Sequence, residues 1–239
     1  MILPVDKTIK ELTEIFGKHI VLKKTDLSKW LPMQYPKLIP FMKLKPIQYE
    51  AEGFGNLMSL ETKAMGGIMK LATVVFTPSS GIDVPLLLID IMAMGSTRTV
   101  FVEYYDLCED TPEKEKIKEG LMKLKARYDH LKDYDEKDHW YVKERAPYSL
   151  IKSEKSTPES EEVFSEMLRE EVEMYASICE KAIRQETGKK ENLQNLLRFQ
   201  DDMVNKGNPS KKALEMILKE KGAETFFREV IMPVKYPVE

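Results

Sequence analysis

Asp90 is the residue in this chain best placed to do chemistry. It lies in the run Val84-Pro85-Leu86-Leu87-Leu88-Ile89-Asp90-Ile91-Met92-Ala93-Met94, where every neighbour except Pro85 is apolar. Such a run reads as a strand covered on both faces, and an ionised carboxylate without a partner is costly there. The usual escape is a raised pKa, and an acid still protonated near neutral pH is a proton donor. The alternative is an aspartate satisfied by backbone N–H groups at a bulge or strand end.

Strand alternation suggests companions for it. Leu86, Leu88, Asp90 and Met92 share one row; Met69, Leu71, Thr73 and Val75 another; Leu57, Ser59, Glu61 and Lys63 a third. If the three strands are neighbours, Glu61, Thr73 and Asp90 are expected on one face among apolar side chains. Two acids on an apolar floor repel one another and are desolvated, so at least one stays protonated. Taken singly, Glu61 also fits a solvated strand residue paired with Lys63 or Lys70.

Other chemistries find no support. No Gly-x-Gly-x-x-Gly follows a strand and there is no Walker-type loop. His19, His130 and His139 are far apart, so no metal site is expected. Ser79-Ser80 has no nearby histidine to act as base. Met58, Met65, Met69, Met92 and Met94 gather around the strand block; they read as core filler, and a methionine-rich pocket would also suit a large flat ligand.

The elements that must position these residues are legible in outline. Apolar Ile9, Leu12, Ile15 and Phe16 make a helical stripe over Asp6–Phe16, closed by Gly17. Pro32, Pro36, Pro40 and Pro46 keep the next stretch extended or turning. Five strands follow, at 47–52, 57–64, 68–76, 84–94 and 98–105, joined by turns at Gly66-Gly67, Pro78–Gly81 and Gly95-Ser96. Such short links favour an antiparallel meander. Thr111-Pro112 opens a helix to about Leu131, and 133–156 reads as irregular. Further helices are expected from Thr157-Pro158 to Gly188, over 191–204, and over 209–221 ending at Gly222. Strands in one block and helices in another predict an α+β fold: an α/β/α sandwich with a central antiparallel sheet, residues 1–239 forming one domain.

Of 239 residues 42% are hydrophobic, enough for a core, and the net charge of -3 gives no pull toward nucleic acid. Two isolated cysteines suit a reducing, cytoplasmic setting. The start lacks the apolar stretch of a signal peptide, and no run approaches a membrane span, so no membrane association is expected.

The ordered spacing of the central block resembles the ferredoxin-dependent bilin reductases, most closely their phycocyanobilin:ferredoxin oxidoreductase branch. Glu61-Thr62, Pro78, Asp83-Val84-Pro85 and Asp90 match the family's order without a gap. Pro158–Tyr175 looks like its Pro-Glu-led helix, and 200–230 resembles its closing pattern. The resemblance implies a linear tetrapyrrole, biliverdin-like, held between the sheet and the C-terminal helices. It implies no bound cofactor, with electrons arriving singly from ferredoxin or flavodoxin. By position Glu61 and Asp90 match the family's two active-site acids, whose role is general acid catalysis. Thr73 stands where the nearest relatives have histidine, and a hydroxyl hydrogen-bonds but is a poor acid. Asn208-Pro209-Ser210 replaces an Asn-Asp-Lys run; Asn208 and Thr73 are candidate substrate contacts. Arg145, Lys143 and Lys211-Lys212 are candidates for the ligand's propionates. Lys206, Lys211, Lys212, Lys219, Lys221 and Arg228 are the expected basic docking face for ferredoxin. Two other readings stand beside this one: a chlorophyll-catabolite-type reductase, and a non-catalytic tetrapyrrole-binding protein.

Overall fold

The computed structural model describes residues 5–36, 41–108, 112–185 and 190–234. At its centre is an antiparallel sheet of eight strands: β1 (Leu22–Lys24), β2 (Met33–Tyr35), β3 (Met42–Ala51), β4 (Gly55–Ala64), β5 (Met69–Pro78), β6 (Leu86–Met94), β7 (Thr97–Tyr105) and β8 (Leu150–Lys155). From β3 to β7 each strand pairs with the next in sequence, the meander that the short turns predict. The β4–β5 link is tight because Met65, Gly66 and Gly67 all have positive φ.

Three strands lie outside the five expected. The short β1 and β2 both pair with β3 along one edge. Pro46 sits in the gap between them, opposite Leu60, so its missing N–H breaks no ladder on that side. The third, β8, emerges from the stretch read as irregular; its sequence Leu-Ile-Lys-Ser-Glu-Lys is too polar to announce a strand, and pairing with β7 makes it one.

Helices cover both faces, giving the expected α/β/α sandwich. On the first face α1 (Val5–His19), α2 (Pro112–Arg127) and α3 (Pro158–Gln185) bury Phe16, Leu121 and Tyr175 against Leu57, Val74, Phe76, Ile89 and Tyr104. On the second, α4 (Lys190–Asn205) and α5 (Lys211–Phe226) bury Phe199, Met203 and Phe226 against Leu44, Met58, Leu60, Val75 and Tyr105. Gly207, at φ 104, lies just past the end of α4 and turns the chain there.

Two expected stops are overrun. Gly222 does not close α5: the helix bends at Lys219, continues to Phe226 and finishes in a π-turn, Phe227–Ile231. Ala223, Phe226, Phe227, Val230 and Ile231 are all buried, and that burial outweighs the glycine. Nor does Gly17 end α1. The helix runs on to His19, whose Nδ1 and Nε2 each lie 2.9 Å from a carboxylate of α3, Glu180 and Glu173. Thr111 and Gly188, read as helix boundary residues, fall outside the described residues. Among the described residues no helix is long and apolar enough to cross a membrane.

The hydrogen bonds to Glu180 and Glu173 raise the pKa of His19 above its ordinary value. The imidazolium's contribution to stability is therefore complete below the unfolded pKa of about 6.5 and is lost as pH rises through the folded one. Urea unfolding of His19→Gln beside the parent, at about pH 6 and about pH 9, should give a clear gap in midpoint at the lower pH and almost none at the higher.

Candidate functional site

The meander's register decides which polar side chains meet. Thr73 stands directly opposite Asp90, and Leu88 opposite Glu103, so Thr73, Asp90 and Glu103 share the second face with Val75, Leu88 and Tyr105. A cover lies over them: Tyr141 from the 3-10 turn Trp140–Glu144, Met203 from α4, residues 208–210, and Phe227, Ile231 and Met232 from the C-terminal turn. Trp140 fixes that cover by donating its indole N–H to the Gly207 carbonyl at 2.8 Å.

Asp90 is the acid the strand pattern singles out, and it opens on the cleft rather than into the core. Thr73 Oγ1 donates to Asp90 Oδ1. Burial pushes the Asp90 pKa up to about 6, and the Thr73 bond, which favours the carboxylate, pulls the other way. Its side chain keeps some contact with the narrow cleft, but protein surrounds it, so desolvation dominates.

Glu103 is the second acid here. Burial raises its pKa, Arg145 opposes this, and the neighbouring Asp90 adds to the rise. Tyr105 donates its hydroxyl to Glu103 Oε1 at 3.2 Å. Arg145 ion-pairs with Glu103 but is shared: it makes bonds of 2.7 and 3.1 Å to Glu136. A guanidinium divided between two carboxylates neutralises Glu103 only in part.

Three sequence-based assignments change accordingly. Glu61 is not in the cleft. Its cross-strand neighbour is Ala72, which puts it on the face opposite Asp90. There it lies 2.7 Å from Lys63 and 3.5 Å from Lys45; the Lys63 pairing is the one the simpler reading of Glu61 expected, but the side chain is buried rather than solvated. The expectation erred because pairing is Leu60 with Thr73, one residue from the alignment it assumed. Arg145 is at the site, but Glu103 and Glu136 hold it, so it is not a spare cation for a propionate. Asn208 lines the cleft, yet its amide donates to the Met203 carbonyl and its oxygen accepts from the Ser210 N–H, both at 3.0 Å. Its visible work is to shape the α4–α5 link.

Nor is the cleft wide. Its cavity volume is about 30 Å3, room for a water or two. Beyond it the same face continues as a half-buried apolar shelf of Leu71, Met92 and Phe101, ending at the exposed Met94. An acid poised near pH 6 beside an apolar surface can pass a proton to a group that meets it there. Glu103 is not among the residues the sequence pattern singles out, although Phe101, Glu103 and Tyr105 alternate with Val100, Val102 and Tyr104. An acid in a row otherwise aromatic carries the same signal as Asp90.

No protein-family model matches this chain, and no curated protein sequence does. Among solved structures, phytochromobilin synthase from tomato, in complex with biliverdin, is similar with a TM-score of 0.78. The match covers 94% of this chain and 81% of that one, at 16% sequence identity. Identity that low establishes the shared fold, a large antiparallel sheet flanked by helices, and nothing finer.

Because the folded pKa of Asp90 lies above its unfolded value, its contribution to stability is greatest below about pH 4 and falls as pH rises through about 6. Asp90→Asn, which keeps the shape, should match the parent near pH 4 and exceed it near pH 8 by about 2 kcal/mol. Thr73→Val removes the bond that favours the carboxylate, and should move the Asp90 titration, followed by carboxyl infrared bands or carbon NMR, to higher pH.

Proposed function

We propose that this chain is an oxidoreductase of the ferredoxin-dependent bilin reductase family, acting on a linear tetrapyrrole of the biliverdin kind. The observation that carries the reading is Asp90: a cleft-facing acid with its pKa raised to about 6, on the sheet face that continues into an apolar shelf. The fold likeness to a protein solved with biliverdin supports the ligand class, and the spacing from Glu61 to Asp90 supports the family and its phycocyanobilin:ferredoxin oxidoreductase branch.

The chemistry runs as follows. Reduced ferredoxin, or flavodoxin, gives up one electron and is oxidised; the tetrapyrrole gains it and becomes a radical. Asp90 passes its proton to a lactam oxygen or pyrrole nitrogen of that radical, which makes the ring easier to reduce further. Two such electron–proton steps saturate one double bond. Glu103, also held toward its protonated form, lines the same cleft and can restore the proton to Asp90. The electrons come from outside the chain, so no bound redox cofactor is invoked. The ligand lies along Leu71, Met92 and Phe101 with its polar edge at Asp90. Admitting it needs a pocket of roughly 300 Å3 or more, so residues 208–210 and the 227–232 turn must give way.

Two observations favour a second reading, a tetrapyrrole-binding protein without turnover. Thr73 holds the place of the family's histidine, and the cleft is tight. Anaerobic mixing with biliverdin and reduced ferredoxin separates the two. Bleaching of the bilin band with a reduced product supports the reductase; a spectral shift that stays unchanged supports the carrier; and turnover of an opened chlorophyll catabolite instead supports that related reductase. Asp90→Asn should slow turnover at least a hundredfold, with the bilin dissociation constant moving less than threefold. Turnover at the parent rate by Asp90→Asn would remove it as the proton donor.

A further inference from the structure

The expected docking face for the electron donor does not look like one once folded. Arg228 is held by Asp201 at 2.6 Å and Glu224 at 3.1 Å, and Lys206 by Asp202 at 3.0 Å. Between 190 and 234 eight cationic residues are interleaved with seven anionic ones, which leaves little net field.

The hairpin end of the sheet is different. Lys43, Lys63 and Lys70 are consecutive cross-strand partners on β3, β4 and β5, and Lys45 is on the same face of β3. Lys43, Lys45 and Lys70 are exposed, and helices leave this part of the first face open. Segments 41–45, 61–72 and 91–95 contain these four lysines and a single acid, Glu61, lying between Lys45 and Lys63. Like charges in adjacent rows repel. One buried carboxylate fixes two lysines in place and still leaves the surface strongly positive.

The strand ends beside this row are apolar. Phe41 is 55% exposed, Met65 48%, Ile68 66% and Met94 55%. Registers Met42 with Ala64, Ala64 with Met69, and Met69 with Met94 bring all four to the same end of neighbouring strands. Apolar tips flanked by fixed positive charge are what a transient complex uses: charge steers the encounter, and a small apolar contact holds it briefly. Met94 is also four residues from Asp90 on β6, about 13 Å at about 3.3 Å per residue. A ligand on the shelf between them would end close to this surface.

We propose that this hairpin end, the lysine row with its apolar tips, is where the electron donor docks, and that the donor is a small acidic iron–sulfur protein. The inference rests on the reductase reading and adds to it the place of electron entry. One electron leaves the reduced cluster of the docked donor and passes to the tetrapyrrole on the shelf; the proton comes from Asp90, as above.

Oxidised ferredoxin titrated onto the full chain, by calorimetry or NMR, tests docking without turnover. Lys43→Glu with Lys70→Glu should weaken binding at least tenfold and flatten its dependence on ionic strength. Ile68→Ser should weaken it with the salt dependence intact. Both sites are exposed, and biliverdin titration of the same variants should be unchanged, which shows that they fold. Unchanged ferredoxin affinity in the charge-reversed variant, or loss of binding from Lys212→Glu with Lys221→Glu instead, would overturn the assignment. Biliverdin binding by the parent is measured separately, so a failure of the tetrapyrrole reading would show there and not in the docking titration.

Discussion

Strand register is the constraint on which everything at this site depends. Side chains alternate across a sheet with a period of two, so a one-residue shift moves an entire row to the other face. The pairing of Thr73 with Asp90 and of Leu88 with Glu103 puts a hydroxyl and two acids under the C-terminal helices. The pairing of Glu61 with Ala72 puts another acid on the far side, buried between Lys45 and Lys63. Tight links hold part of this register: the positive-φ turn at 65–67 joins β4 to β5 and the Gly95 turn joins β6 to β7, while the longer 79–85 link leaves the β5–β6 pairing to packing and the ladder itself.

Once the acids share a face, burial and charge pull against each other there. Asp90 has one hydroxyl donor and no cation, so desolvation prevails and it stays poised near neutral pH. Glu103 has a cation, but Glu136 takes the larger share of its bonds. Arg145 thus limits the cost of placing two carboxyls close together without ionising both. A full, unshared ion pair would have pinned Glu103 as a carboxylate and left no spare proton beside Asp90.

The cover and the floor are unlike in character. The floor is a strand meander whose other face, Phe76 included, packs on Phe16 and Tyr175, and strand pairing ties it on both sides. The cover is a link between two helices and a π-turn, kept in place by a few polar bonds such as Trp140 to Gly207 and Gln200 to the Met232 carbonyl at 2.6 Å. Admitting the proposed ligand means displacing this side, since the floor is tied by strand pairing on both sides. The hairpin tips lie beyond the cover and stay accessible whatever it does.

Much of this protein is legible in its amino-acid order. Period-two alternation, glycine turns and helix-start signals mark the meander and the helices of the C-terminal half, because these are local effects. Asp90 stands out for the same reason: an acid in an apolar run needs an explanation wherever it folds. Thr73 beside it follows from a correct guess at neighbouring strands. Tertiary structure alone decided the rest. Polar β8 is a strand because β7 offers it a partner, and α5 passes Gly222 because its far end is buried. Whether Glu61 or Glu103 joins Asp90, and whether Arg145 is free or shared, depends on one residue of register and on packing across the sheet. Neither quantity is local, so no reading along the chain contains it.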